Sequence, residues 1–496
     1  MEMTKLRKTL FLMIVFLTLF TVIGLNPKEN IKSSIISSDS FSSFQGTKHT
    51  KDTMIANDDF GDQQLFWLLM PDWMQIRATL LAEGSYCYIY MANETIELLG
   101  ESESITKCEA IRDAFDVDVY LNAIALAGHP NGILGDIDGD PKVTIFLAPL
   151  VRHMGSAYLG YYHFGNDLID DPYTNLREMV YCDSERSVYD TICTIIHEFN
   201  HLIWFNNDWD DSEFLSEGLA NYAIEFTGYD DWVLDAVTNA FTFHPEISLL
   251  YFNREYGALW DASYGQAYLF VTYLASRFGL DFTKSLVSIP ENAAASIDIA
   301  LDSIGSNLSF NDVYLDWITA CVLDDSSFAD GIYGFETVDY KIQNISPLLY
   351  DFPFKKMHYY YGFNVKRNNV PRDKFTFVID NPYPYALGVS IILENSSCIR
   401  VDQKIYHEKS DEIMIYIEDE TLNDVTIITS LISHNTPEEY GIVMSLDELP
   451  ARELNYNIYE GNLIDTGSVK GYFVTLLSIP LIFYIRKIKK KMKAHS

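Results

Sequence analysis

The sequence predicts an α+β unit, strands first and helices afterwards, followed by a small antiparallel β-sandwich. Three observations predict it. β-rich runs fall at Tyr86–Met91, Lys142–Leu147 and Glu178–Cys182. From Ser187 to about Asp325 the apolar pattern turns helical, with helices expected near 187–205, 212–227, 262–278 and 308–323. From Lys355 to about Leu449 the chain breaks into short runs such as FTFVI, VSIIL, IMIYI and VTIITS, separated by polar turns. A length of 496 residues leaves room for two to four domains at about 100 to 200 residues each.

Taken in order, residues 1–27 place Lys5, Arg7 and Lys8 ahead of an uncharged stretch from Thr9 to Leu25, which reads as a signal peptide or signal anchor. Residues 28–59 form a linker rich in serine, Ser33 to Ser43 supplying most of it. A globular domain is expected over 60–340, including a helical stretch from Ile105 to Ala127, and the sandwich over 345–456. A linker at 457–470 leads to an uncharged run, Gly471–Ile485, the core of an expected transmembrane helix over 471–486, and to a basic tail, 487–496. As a helix that run spans roughly 22 Å against roughly 30 Å of hydrocarbon, a gap that Lys470 and Arg486 can close by snorkelling. The cationic tail marks the cytoplasmic side. The expectation is therefore a single-pass protein of the cell membrane with an extracellular globular part and a cytoplasmic tail. A sorting signal removed on anchoring is the other reading of that end. Sequons at Asn93, Asn307, Asn344 and Asn395 are compatible with export.

Asp and Glu outnumber Lys and Arg by 70 to 35, a formal charge of −35, so a phosphate backbone would be repelled and nucleic acid is not an expected partner. Six cysteines are spread without a CxxC pair, which disfavours a cysteine-built metal site. Their pairing and the oligomeric state are not legible.

Chemistry concentrates in TIIHEFNHLIW. Residues four apart lie one turn apart on the same side of a helix, so His197 and His201 can offer imidazole nitrogens to one metal ion. Ile192, Ile195, Ile196, Phe199, Leu202 and Ile203 fall on the other half of the wheel, so one side is expected to pack and the other to face a cleft. Glu198 sits about 100° round from His197, suited to a general base rather than a ligand. In FLSEGLANYAIEF a stripe of Leu215, Leu219, Tyr222, Ala223 and Phe226 leaves Glu217 opposite, able to complete a His, His, carboxylate set with one position open to water. Asn221, one turn later, is a candidate to orient His197, or a plain surface residue.

HEFNH followed by LSEGLANYA resembles the gluzincin metallopeptidases, and DIDGDPKVTIFLAPL, NLREMVYCD, SYGQAYLFVTYLASRFG and FNDVYLDWITACVLDD resemble their hyicolysin-type branch. The resemblance spans roughly residues 80 to 325. It implies a thermolysin-like catalytic domain: a mixed sheet whose edge strand, here Glu178–Cys182, borders the cleft, followed by the zinc-bearing helices. Carried over by position, it implies one zinc ion held by His197, His201 and Glu217, with Glu198 as base. Related enzymes add a Tyr or His donor for the developing oxyanion; Tyr264 is the candidate, with Tyr268 and His244 as alternatives. The aminopeptidase segment Gly-x-Met-Glu-Asn is missing, so an endopeptidase acting on protein or peptide substrates is implied. The rival readings are an inactive surface-binding or adhesion module on the same fold and a hydrolase of another bond.

Asp136, Asp138 and Asp140 in GDIDGDPKV resemble the start of a Ca²⁺ loop, but Pro141 stands where such loops carry glycine and Leu147 where they carry a glutamate. A tight acidic turn is the better reading. Cys193, one turn before His197, reads as a buried apolar thiol.

Overall fold

A computed structural model of the chain describes residues 58–432, 451–460 and 472–477, apart from 71, 133–135, 156–158, 169–170, 210, 255–256, 350–353, 370–373, 382–384, 408–409 and 420. The signal segment, nearly all of the Ser-rich linker and the basic tail lie outside the described residues.

Strands β1 (Gln63–Leu69) and β2 (Trp73–Glu83) form a tight hairpin, closed where Leu69 pairs with Trp73. β3 (Cys87–Ala92) pairs antiparallel with β2. Helices α1 (Asn93–Leu99), α2 (Glu101–Ala114) and α3 (Tyr120–Ala127) follow, with a π turn over Phe115–Val119 between the last two. The expected 105–127 helix is thus present but divided. After this crossover β4 (Val143–Ala148) lies parallel to β3, and a short helix α4 (Leu150–Met154) leads to β5 (Gly160–Tyr162) and β6 (Met179–Asp183). β6 is parallel to β4 and β5 antiparallel to β6, giving a six-stranded mixed sheet in the order β1-β2-β3-β4-β6-β5. The edge is therefore β5, not the expected 178–182 strand. A three-residue strand is too short to show a period of two, and its register comes only from β6.

Every residue of β3, β4 and β6 is buried, because both faces of the sheet are covered. Alternation then sorts side chains between two cores. Tyr88, Tyr90, Phe146, Tyr161 and Tyr181 join the hairpin's Phe66 and Leu68 on one face, where Tyr161 and Tyr181 stack at 4.4 Å. Ile89, Met91, Ile145, Leu147, Val180 and Cys182 face the helices.

The helical layer comprises α5 (Val188–Asn207), α6 (Glu213–Phe226), α7 (Trp232–Phe243), α8 (Ala258–Phe278), α9 (Leu280–Leu286), α10 (Ala294–Ser303) and α11 (Phe310–Leu323). The four helices expected here match α5, α6, α8 and α11 to within a few residues. α7 was not expected: its β-branched and aromatic content, WVLDAVTNAFTF, hides the signal. Its start is marked by Asp231, whose carboxylate accepts from Val233 N at 2.9 Å.

Ten further strands follow: β7 (Ile345–Pro347), β8 (Phe354–Tyr359), β9 (Phe363–Asn368), β10 (Lys374–Asn381), β11 (Ala386–Asn395), β12 (Ile399–Tyr406), β13 (Ser410–Glu418), β14 (Leu422–Ile432), β15 (Ala451–Glu460) and β16 (Tyr472–Leu477). They form two five-stranded sheets, β12-β11-β14-β9-β7 and β16-β13-β10-β15-β8. Pairing is antiparallel except for β7 with β9 and β13 with β16, which are parallel. β11 and β14 are almost continuously buried because α11 covers their outer face: Thr319 Oγ1 donates to Ser390 Oγ at 2.8 Å, and Tyr314 and Ser430 hydroxyls lie 3.1 Å apart.

The C-terminal expectation needs correction. Tyr472–Leu477, the start of the expected transmembrane helix 471–486, is a strand paired with Ile413–Glu418, and 478–496 lie outside the described residues. Among the described residues no helix is long and apolar enough to cross a membrane. The strands also run beyond the expected sandwich limits of 345–456 and take in part of the 457–470 linker. An uncharged run built of YFVTLL suits a strand as well as a helix, and hydropathy alone does not separate the two.

Candidate metal centre

α5 starts where Ser187 Oγ accepts from Asp190 N at 3.1 Å. The expected half-packed, half-open helix is not what forms: every residue from Thr191 to Asn206 is buried. The sheet covers the apolar side and α6 covers the histidine side. Gly218 allows a further close approach, that of α8 to α6; a Cβ there would stand 2.5 Å from Ala267 O.

The α5–α6 contact brings three ligand atoms to one point. His197 Nε2 and His201 Nε2 are 3.0 Å apart, and Glu217 Oε2 lies 3.3 Å from each. The two histidines are 0% and 3% exposed and Glu217 9%, so the trio is withdrawn from bulk water. Burial alone would lift the Glu217 carboxyl; the two imidazoles outweigh it and hold the group down at about 2. Burial pushes His197 below its ordinary value, whereas for His201 the Glu217 charge wins over burial and raises it. Two imidazole nitrogens and an ionised carboxylate converging on one point form a group able to hold a metal ion.

Neighbours fix the imidazoles. Ser216 Oγ lies 3.0 Å from His201 Nδ1. Asn221 is fully buried, not a surface residue, and its amide is one of the groups that raise the proton affinity of His197. One turn before Glu217, Glu213 is paired with Arg254 at 2.5 Å. Burial, only partly offset by Arg254, lifts Glu213 to about 7.

Glu198 is fully buried on the sheet side of the histidines. Edge strand β5 crosses α5 here: a Cβ on Gly160 would meet Thr194 Cγ2 at 2.4 Å and stand 3.4 Å from Glu198 Cγ. Only glycine permits that approach. The sequence reading missed Gly160, Ser216 and the Glu213–Arg254 pair. Ser216 was within reach as the neighbour of Glu217, whereas Gly160 carries no local signal.

The outlying candidates go elsewhere. Tyr264 is 2% exposed and packs on Phe252 at 4.8 Å and Trp260 at 5.9 Å. Tyr268 donates to Glu225 Oε2 at 2.8 Å, and His244 pairs with Glu246 at 3.3 Å. Cys193 is a buried free thiol, as expected, and all six cysteines are free. The Asp140 carboxylate accepts from Tyr88 Oη at 2.9 Å, while Asp140 N donates to Asp138 Oδ1 at 2.8 Å.

No protein-family model and no curated protein sequence matches the chain. The case for function therefore rests on the geometry above.

Proposed function

We propose that the protein is a zinc-dependent endopeptidase acting on protein or peptide substrates, with a thermolysin-like catalytic unit. The observation that carries this reading is the convergence of His197, His201 and Glu217, with ligand atoms 3.0 to 3.3 Å apart, beside a buried glutamate and under an edge strand. Zinc–ligand distances of about 2.0–2.1 Å in a tetrahedral site set neighbouring donors about 3.3 Å apart, so the donor set fits zinc in both chemistry and spacing.

Zinc held there supplies Lewis acidity, lowering the pKa of water toward about 7 and polarising a carbonyl. The protein's own groups do the rest. Glu198, next in sequence to His197, accepts the proton of the attacking water and returns it to the leaving nitrogen. Ser216 holds the His201 imidazole, and Asn221, fully buried, is the proposed orienting group for His197. β5 is the edge strand beside Glu198, the place where an extended substrate would add to the sheet. Tyr264 remains the proposed oxyanion donor on the resemblance alone, its ring being buried against Phe252 and Trp260. Export of the catalytic unit rests on Lys5, Arg7 and Lys8 preceding the apolar Thr9–Leu25; stripping of the globular part by protease added to intact cells tests it.

The central test is metal analysis and cleavage of an unfolded generic protein by the full chain and by Glu198→Gln. We expect about one zinc per chain in both, with cleavage reduced about 10²–10⁴-fold in the variant. Zinc bound with no cleavage by the unsubstituted chain would favour a binding module, and equal cleavage by both would remove Glu198 from its role.

A further inference from the structure

A second carboxylate group lies away from the histidines. The parallel pairing of β4 with β6 brings the turn before β4 against the residue before β6: Thr144 N donates to Glu178 O at 2.8 Å, and Ile137 N to Glu178 Oε1 at 2.9 Å. Asp136, Asp138 and Glu178 thereby place one carboxylate oxygen each within 4.8 Å of one another. Ca²⁺–oxygen distances are about 2.3–2.6 Å, so two ligands of one ion stand at most about 5 Å apart. A slight closing of the turn lets one ion touch all three residues.

Glu178 supplies the observation that separates this group from an ordinary acidic turn. It is 3% exposed, and its Oε2 is buried without a hydrogen-bond partner among the described residues. A second buried oxygen in the same condition, Asp167 Oδ1, lies nearby, while Asp167 Oδ2 accepts from Tyr162 Oη. The adjacent cation, Arg177, is engaged with Asp58 at 2.9 Å. Buried carboxylate oxygens left without a partner are costly, and a cation shared between them offsets that cost.

We infer that Asp136, Asp138 and Glu178 form a Ca²⁺ site that staples the turn before β4 to the start of β6. The donors are all hard oxygens, which select a hard cation over zinc. The Asp136 side chain is exposed, leaving that side of the ion to water. In the sequence the group is disguised, because the spacing points to Asp140 as the third ligand. Asp136 Oδ1 and Asp138 Oδ1 also accept turn bonds, from Gly139 N at 2.6 Å and Asp140 N at 2.8 Å, whereas both Asp140 oxygens are engaged, Oδ1 by Lys142 N at 3.1 Å and Oδ2 by Tyr88 Oη at 2.9 Å.

The site shares no residue with the histidine centre, so its test stands apart from the peptidase reading. Zinc-loaded full chain is dialysed against Ca²⁺ from zero to about 10 mM at constant zinc, and bound Ca²⁺ and melting temperature are measured. We expect one Ca²⁺ per chain and a rise of several degrees in melting temperature. Glu178→Gln and Asp138→Asn should each lose both responses while keeping zinc, whereas Asp140→Asn keeps both. No Ca²⁺ bound by the unsubstituted chain at 10 mM, or Ca²⁺ bound equally by Glu178→Gln and Asp138→Asn, would overturn the assignment.

Discussion

The buried histidine His358 and the buried pair His197 and His201 are built into the molecule in opposite ways. Between the sandwich sheets, His358 Nδ1 lies 3.2 Å from Lys356 O, while Nε2 lies 2.7 Å from Tyr456 Oη and 3.0 Å from Thr429 Oγ1. Both ring nitrogens are satisfied by neutral groups, and burial pushes the imidazole down to about 4. At the α5–α6 contact, the Nε2 atoms of two histidines and a carboxylate oxygen face one another instead. Burial is common to both clusters and says nothing about function. What differs is where the lone pairs point: outward to separate partners in the sandwich, inward to a shared point in the helices.

Matched substitutions at the two sites test that contrast. The largest effect is expected from His197→Ala, which should take zinc from about one per chain to near zero and peptide cleavage to background, read by metal analysis and a fluorogenic substrate. His358→Ala should leave zinc content and specific activity unchanged while costing about 2–4 kcal/mol in denaturant unfolding, from the lost ring and the hydrogen bonds it leaves unmade. If His358→Ala also released zinc, the two clusters would be coupled and the contrast would fail.

A pH series is the next test. His358 has a folded pKa below its unfolded value, so the folded state binds fewer protons; its contribution is complete above about pH 6.5 and is lost as pH falls toward about 4. Measured as the difference between the unsubstituted chain and His358→Gln, the loss should reach at most about 3 kcal/mol. A flat difference across that range would mean that the ring takes up protons as freely when folded as when unfolded. The smallest expected effect is that of Asn221→Ala, a fall of about 10–100-fold in zinc affinity, measured by competition with a chromogenic chelator. An unchanged affinity would reduce Asn221 to packing.

Legibility followed the range of each interaction. His197, Glu198 and His201 were readable because helical spacing is local, and Glu217 because a second helix showed a polar position opposite an apolar stripe. Gly160 and Glu178 were not. Gly160 belongs to a strand of three residues, and Glu178 read only as the start of a strand until the sheet set it beside the turn at Asp136 and Asp138. The helical expectation for 471–486 failed over Tyr472–Leu477 for a related reason: a short uncharged run takes the conformation of the element it pairs with, and here β13 was available.

By itself the sequence determined the helix bearing two histidines and the alternation of strand-rich and helix-rich stretches, both consequences of neighbours within a few turns. Tertiary structure alone decided that Glu217 meets those histidines, that β5 rather than β6 forms the edge, and that Glu178 rather than Asp140 joins the acidic turn. The physical reason is that strand order and helix contact are fixed by burying faces against distant segments, and the period of a segment does not encode which distant segment will cover it.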